Sequence, residues 1–279
     1  MKKACIVCLL LFLLCACAFE AQPAEVTSVP SEPAEEFSQA PVTEISTEMP
    51  TETVTVPPYI FPMEPGSYLE TYQDEETQDY LDYYLFIPEG ASDKMPLVIF
   101  LHGDGEVGNP LLLEDFGLIK AAREIYGEKF PFIAISPCTR VESWISGSIP
   151  QTLIGLIDDI SERLSINTDR IIITGHSRGA IGVWHMISTY GDFFSAAVPV
   201  SCGAETALDM ENCVQVPVLA HAGNIGKNEN IYREQMFNIV HKIKENGGNA
   251  ELIVLESKNH TQTSTCAFTE EVFLWMLEQ

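Results

Sequence analysis

The sequence predicts an α/β domain with a mostly parallel central sheet, an N-terminal antiparallel hairpin and helices on both faces. Two alternating segments, 66–72 and 80–87, flank a polar turn at 73–78, as in a partly covered hairpin. Short apolar runs without alternation follow, typical of parallel strands buried on both faces; they lie at 97–101, 132–136, 170–174, 196–201, 216–220 and 252–255. Between them, apolar residues at three- and four-residue spacing predict helices, at 119–126, 152–164, 180–189, 231–246 and 269–277.

Residues 1–17 are predicted to be a signal peptide that directs export. A basic Met1-Lys2-Lys3 precedes an apolar run at 4–14, which is shorter than the ~20 residues that span a bilayer. Leu14-Cys15-Ala16-Cys17 resembles a bacterial lipobox, so we expect a lipid on Cys17 and a cell-surface protein. The alternative is plain secretion after cleavage near Ala18.

Residues 18–65 are predicted to be a disordered linker. From Phe19 to Pro65 the chain has nine prolines, nine glutamates and no lysine or arginine. Such a segment buries too little apolar surface to offset the entropy of ordering. It would hold a domain at 66–279 away from a membrane surface.

Charge and cysteine content limit the partners of that domain. The formal net charge of −25 argues against binding to nucleic acid or to anionic lipid, so we expect membrane contact only through Cys17. Four of the eight cysteines lie beyond the signal segment, too few for a disulfide scaffold, and none has zinc-site spacing. Cys202 and Cys213 are either a disulfide or two buried free thiols.

Gly175-His176-Ser177-Arg178-Gly179 carries the strongest chemical signal. This GxSxG motif directly follows the strand at 170–174 and precedes the helix at 180–189, the context of a nucleophile elbow. The turn would lift the Ser177 hydroxyl into a cleft at the carboxyl ends of the strands. Ser177 is therefore the predicted nucleophile, and a tight turn with an exposed serine is the alternative.

The base is predicted to be His260. It sits in a polar segment, Ser257-Lys258-Asn259-His260-Thr261, directly after the last strand, where an imidazole can reach the nucleophile. His241 falls within the helix pattern at 231–246 and is expected to lie on a solvated face, whereas His221 closes the preceding strand and is expected to be structural.

Two backbone N–H groups are expected to form an oxyanion hole. One belongs to Arg178, the residue after the nucleophile. The other should come from the glycine-rich loop 102–108, and we assign it to Asp104, with Gly103 as the alternative.

The acid is the least certain member from the residues alone, and three carboxylates are candidates. Glu229 is the single carboxylate in the predicted loop 222–230 after the penultimate strand. The alternative role of a glutamate at this position is to stabilise the first turn of the next helix through its interaction with the helix dipole. Glu205 and Asp209, after the preceding strand, are the other candidates.

These motifs resemble the feruloyl-esterase and polyhydroxybutyrate-depolymerase-like branch of the α/β-hydrolases, many of which are labelled predicted peptidases. Residues 101–109, Leu-His-Gly-Asp-Gly-Glu-Val-Gly-Asn, are similar to that branch's HGxGExG segment, and Ser136-Pro137-Cys138 with Trp144 to its PxC…W segment. Arg178 stands where Met or Gln is common. A second departure follows the penultimate strand, where Ile225 occupies the position of an Asp in the HGxxD pattern.

The resemblance implies an α/β-hydrolase fold and a serine esterase that needs no metal or organic cofactor. It implies that Trp144 lines the substrate cleft, and we expect His176 and Gly103 to contact substrate as well. About fourteen residues separate the strands at 196–201 and 216–220, so we expect no cap domain and an open site suited to polymer-attached esters, such as feruloyl or acetyl groups on polysaccharide. A peptidase with the same triad and a non-catalytic surface binding domain are the competing hypotheses.

Overall fold

The computed structural model of the chain describes residues 63–279. The signal segment, and all of the predicted linker except its last three residues, lie outside the described residues. Within residues 63–279, no helix is long and apolar enough to cross a membrane.

Eight strands form one sheet in the order β1-β2-β4-β3-β5-β6-β7-β8. Strand β2 is antiparallel to both β1 and β4, and the pairs from β4 through β8 are parallel. The strands are β1 (Gly66–Gln73), β2 (Tyr80–Ile87), β3 (Leu97–Leu101), β4 (Ile133–Cys138), β5 (Ile171–His176), β6 (Ala196–Val200), β7 (Val218–Ile225) and β8 (Ala250–Asn259). The predicted hairpin and the mostly parallel sheet are therefore confirmed.

Helices cover both faces of the sheet. They are α1 (Gly117–Tyr126), α2 (Ile149–Arg163), α3 (Arg178–Thr189), α4 (Met210–Cys213), α5 (Lys227–Glu245), α6 (His260–Cys266) and α7 (Glu270–Glu278). One apolar layer joins the sheet to α2, α3 and α5, and a second joins it to α1 and α7. Alternate residues of β3 enter different layers: Leu97 and Ile99 pack in the first, Val98 and Phe100 in the second. This double burial explains the continuous apolar runs.

Two boundaries differ from the prediction in ways that matter for the site. Strand β7 continues to Ile225 and α5 begins at Lys227, so the expected loop at 222–230 shrinks to Gly226. Strand β8 continues to Asn259, and His260 is the first residue of α6. The extension of β8, Glu256-Ser257-Lys258-Asn259, is polar, and the last two residues of β7 are not buried, so the apolar pattern gives no signal for either end although both pair with a neighbouring strand.

The β6–β7 connection contains only the four-residue helix α4, and no cap domain is inserted there. Cys202 and Cys213 are both buried free thiols.

Candidate active site

Ser177 sits at a sharp turn between β5 and α3. Its backbone has φ 57° and ψ −117°, a strained conformation for a residue with a side chain. The flanking glycines allow the turn to pack: a Cβ on Gly179 would lie 1.9 Å from the Leu101 carbonyl oxygen, and one on Gly175 would lie 2.6 Å from the Gly179 carbonyl carbon. The turn thus requires both glycines and exposes the serine hydroxyl at the carboxyl edge of the sheet.

His260 lies directly beside this hydroxyl. Its Nε2 is 2.8 Å from Ser177 Oγ. The sequence prediction placed His260 in a loop, whereas it begins α6, and Asn259 caps that helix by accepting a hydrogen bond from the Gln262 N–H at 3.0 Å. A capped helix start holds the imidazole more rigidly than a loop would.

Glu229 completes the relay from the first turn of α5. Its Oε2 lies 2.8 Å from His260 Nδ1, and its Oε1 accepts from the Ser201 hydroxyl and the Gly223 N–H, both at 2.6 Å. The side chain is 1% exposed. Burial acts to raise the pKa of Glu229, but these hydrogen bonds outweigh it and the pKa lies below its ordinary value. The carboxylate is therefore ionised and acceptor-only beside the imidazole.

The other two carboxylate candidates lie elsewhere. Asp209 caps α4 by accepting a hydrogen bond from the Glu211 N–H at 3.0 Å. Glu205 is exposed in the segment after β6. Of the three, the structure brings Glu229 to His260.

A buried polar network supports the histidine and the carboxylate. Ser201 has a left-handed backbone, with φ 55°, and its Oγ lies 2.7 Å from Thr263 Oγ1 as well as contacting Glu229. The Thr263 hydroxyl donates to the His260 carbonyl oxygen at 2.6 Å. Sequence reasoning missed Ser201 and Thr263, although a serine that ends a buried strand next to the elbow strand was a signal for the first.

His176 belongs to this network and not to the cleft, which corrects its predicted role in substrate binding. Its Nε2 donates to the His260 carbonyl oxygen at 2.9 Å, and the two rings lie 4.8 Å apart. Burial and the nearby charge of His260 lower the pKa of His176 to about 4. A neutral imidazole here fixes the backbone of His260.

The residues predicted for the oxyanion hole face Ser177 from two elements. Arg178 is the first residue of α3 and Asp104 the first of a short 3₁₀ turn, Asp104–Glu106, positions whose N–H groups have no partner within their own helix. The Gly103 N–H instead donates to Glu106 Oε2 at 3.1 Å. Gly103 lies against Ser177, since a Cβ there would be 3.3 Å from Ser177 Cβ. The Arg178 guanidinium and the Asp104 carboxylate form an ion pair that links the two donor residues.

Trp144 is placed in the core, which corrects its predicted position in the cleft. It is 3% exposed and packs in the apolar layer of α2 and α3. Its Nε1 donates to the His102 carbonyl oxygen at 3.0 Å, and its ring meets the His102 ring edge-on at 5.0 Å. The buried His102 accepts from the Thr139 N–H at 3.1 Å. Trp144 thus supports the loop that carries Gly103 and Asp104 without touching the cleft.

Among residues 63–279, no group of His, Cys, Asp and Glu side chains is arranged to hold a metal ion.

Solved hydrolases share this architecture. A thermostable esterase is 25% identical and superposes with a TM-score of 0.67 over 76% of this chain and 63% of its own; the chain therefore spans less than two thirds of that protein. A poly(3-hydroxybutyrate) depolymerase from Bordetella parapertussis is 13% identical, with a TM-score of 0.58 over 76% of this chain and 94% of its own. The feruloyl esterase module from Clostridium thermocellum is 18% identical, with a TM-score of 0.53 over 72% and 83%.

No protein-family model matches the sequence, and no curated protein matches it either. The strand order, the sharp turn at Ser177 and these structural neighbours nevertheless all indicate the same fold. The chain has the α/β-hydrolase fold, and the solved structures it resembles include an esterase, a poly(3-hydroxybutyrate) depolymerase and a feruloyl esterase module.

Proposed function

We propose that the protein is a serine hydrolase of carboxylic esters, with Ser177 as nucleophile, His260 as base and Glu229 as acid. The observation that carries the proposal is the unbroken relay from Ser177 Oγ through both ring nitrogens of His260 to Glu229, with 2.8 Å at each contact. Esterases among the structural neighbours support the same reaction class.

The reaction would proceed by two acyl transfers. His260 takes the Ser177 proton as the serine oxygen attacks the ester carbonyl, and the imidazolium then protonates the leaving alcohol. Glu229 holds Nδ1–H and stabilises the imidazolium. The N–H groups of Arg178 and Asp104 would stabilise the oxyanion. Water, activated by His260, then releases the acid and regenerates the serine.

For the natural substrate, we propose esters attached to a polysaccharide outside the cell. Three features support this: the export signal that the sequence predicts at residues 1–17, the absence of a cap in the β6–β7 connection, and a His260 side chain that is still 34% exposed. A site open on the side of the base admits an alcohol that is part of a polymer.

The two competing hypotheses predict different chemistry. A peptidase would use the same relay on an amide, and only substrate preference separates it from an esterase. The binding-domain hypothesis rested on the missing Asp at Ile225. The Glu229–His260 contact removes the reason for it, because a carboxylate reaches the base by another route.

Hydrolysis of p-nitrophenyl acetate, with and without a serine-directed fluorophosphonate, tests the proposal. We expect inhibition by the fluorophosphonate, faster cleavage of the ester than of a peptidyl anilide, and a loss on the order of 10⁴-fold or more in Ser177→Ala. Glu229→Gln should lose roughly 10³- to 10⁴-fold, because the imidazole loses its orientation.

Asp209→Asn is the matched control for the acid, since Asn caps a helix as well as Asp does. It should retain wild-type turnover. If Ser177→Ala kept half of the wild-type activity, the hydrolase assignment would be wrong. If Asp209→Asn lost activity while Glu229→Gln kept it, the acid would be Asp209 and not Glu229.

A further inference from the structure

A cavity of about 160 Å³ opens beside the Ser177 hydroxyl. Ile181 and Ala204 line it with apolar surface, and Arg178 lies at its rim. Tyr232 and Gln235, both on α5, also line it. The cavity is therefore part of the proposed ester site.

The position of His260 identifies which half of the ester the cavity receives. The leaving alcohol must lie against His260 Nε2 to be protonated, and His260 is not part of the cavity wall. Ser177 and Arg178, beside which the carbonyl carbon and its oxygen would sit, both line the cavity, and Tyr232 lies between its lining and the base, with its ring 5.2 Å from the His260 ring. The cavity is thus placed to hold the acyl group, while the alcohol lies on the exposed side of His260.

Tyr232 and Gln235 line the cavity because they lie on the same helix as Glu229, the proposed acid. Glu229, Tyr232 and Gln235 are spaced by three residues along α5, which puts them on neighbouring positions of the helix surface. Because Glu229 must reach His260, the next two turns of α5 also lie at the site. The Tyr232 ring is 5.2 Å from the His260 ring, and a Cβ on Gly203 would lie 2.5 Å from Gln235 Cβ. Helix α5 is therefore packed closely against the segment after β6.

We propose that Tyr232 and Gln235 are specificity-determining residues that restrict the enzyme to short, uncharged acyl groups such as acetyl. This inference rests on the proposed esterase function. A closed cavity of about 150 Å³ holds a benzene ring, so an acetyl group fits within the pocket, whereas a cinnamoyl-type group, with its ring and three further carbons, would extend beyond it. Asp104 and Glu205 place two carboxylates at the cavity against one guanidinium, that of Arg178, which disfavours an anionic acyl chain.

A series of p-nitrophenyl esters tests the restriction, because the leaving group stays constant while the acyl group grows from acetate through butyrate to hexanoate and ferulate. For the wild type we expect kcat/KM to fall at least about tenfold from acetate to hexanoate. Tyr232→Ala and Gln235→Ala should raise the hexanoate-to-acetate ratio by at least about tenfold. The ratio is the readout because it is insensitive to a general loss of activity, which Tyr232→Ala could cause through its contact with His260.

Glu234→Ala is the matched control, since Glu234 is exposed on the same helix beside Gln235 and does not line the cavity. Its ratio should equal that of the wild type. Wild-type preference for hexanoate or ferulate over acetate would overturn the inference while leaving the esterase intact, as would a ratio unchanged in both variants. No hydrolysis of any ester would overturn the proposed function and this inference with it.

Discussion

The carboxylate of Glu229 is held at three points, which would allow a glutamate on a helix to act as the proposed acid in place of an aspartate in a loop. A glutamate has one more rotatable bond than an aspartate, so a stable orientation needs additional contacts. The Ser201 hydroxyl and the Gly223 N–H fix Oε1, which leaves Oε2 directed at His260. The backbone of Ser201 is strained at φ 55°, which indicates that its side chain is held in this place by its contacts.

Ser201→Ala should lower kcat about tenfold and shift the acidic limb of the kcat/KM profile up by about one pH unit. A hydrogen bond to a charged group contributes roughly 1.5–3 kcal/mol, and one pKa unit corresponds to about 1.4 kcal/mol. Without the hydroxyl, the carboxylate loses a hydrogen bond that favours its charged form, so the pKa of Glu229 rises and the carboxylate is protonated at a higher pH. The measurement is the pH profile of p-nitrophenyl acetate hydrolysis.

Comparing Ser201→Gly with Ser201→Ala separates the effect of losing the hydroxyl from the effect of backbone strain. Glycine removes the same hydroxyl and accepts the left-handed conformation, so the two variants should share the pH shift. A normal profile in Ser201→Gly beside a shifted one in Ser201→Ala would assign the effect to the backbone.

The residues that could be predicted from the sequence are those with a motif or a place in chain order. Ser177 has its elbow motif, His260 follows the last strand, and Glu229 is the single carboxylate of its segment. Trp144 and His176 were assigned to the cleft because a motif gives chain position and not the direction of a side chain. Both turn inward and bind backbone carbonyl groups below the site.

At the scale of elements, the close packing of α3 on β3 fixes the position of Ser177 relative to the carboxyl edge of the sheet. Gly179 allows the start of α3 to rest on the Leu101 carbonyl oxygen, where a Cβ would come within 1.9 Å. Gly182, one turn later, lies against Trp144 in the same way, since a Cβ there would be 2.7 Å from Trp144 Cβ. Small residues therefore set the distance between this helix and the sheet.

Gly179→Ala should destabilise the fold by about 3 kcal/mol or more, because the added methyl group meets backbone and not a movable side chain. We expect a lower midpoint of urea unfolding and loss of esterase activity. Gly105→Ala is the control: nothing lies within 4 Å of a Cβ there, so its midpoint should stay near that of the wild type. Equal midpoints for the two variants would contradict the close crossing of α3 and β3.

The elements themselves were predictable where apolar periodicity was present, and their ends were not. Helix α6, with the sequence His-Thr-Gln-Thr-Ser-Thr-Cys, carries no apolar stripe. It forms because Asn259 caps it and because Thr263 and Ser264 are buried against the sheet. The end of β7 escaped prediction for a related reason, since its last residues pair with β8 but are partly exposed. Such tertiary contacts are not encoded in local spacing.

At the scale of the whole molecule, three histidines are buried in the folded state. Burial lowers the pKa of His102, His176 and His221 from 6.5 to about 4 in each case. Between these values the unfolded chain binds protons that the folded protein excludes, so the free energy of unfolding decreases as the pH falls from 6.5 towards 4. Each histidine lowers it by about 3 kcal/mol once the pH is below its folded pKa.

In His221→Gln, the free energy of unfolding should decrease less steeply as the pH falls, because the unfolded chain then binds about one proton fewer. His221 is suited to the test because it lies in β7, two strands from β5, which ends just before Ser177, and its ring makes a single hydrogen bond, from Nδ1 to the Leu219 carbonyl oxygen at 3.2 Å. The free energy of unfolding is measured by urea titration from pH 8 to pH 4.5 for both proteins. At pH 8 the histidine is neutral in both states, so the difference there gives the packing cost of the substitution alone. Carboxylate titration is common to both proteins and cancels in the comparison. Curves that stay parallel down to pH 4.5 would show that His221 accepts its proton without unfolding, and that this part of the core is open to water.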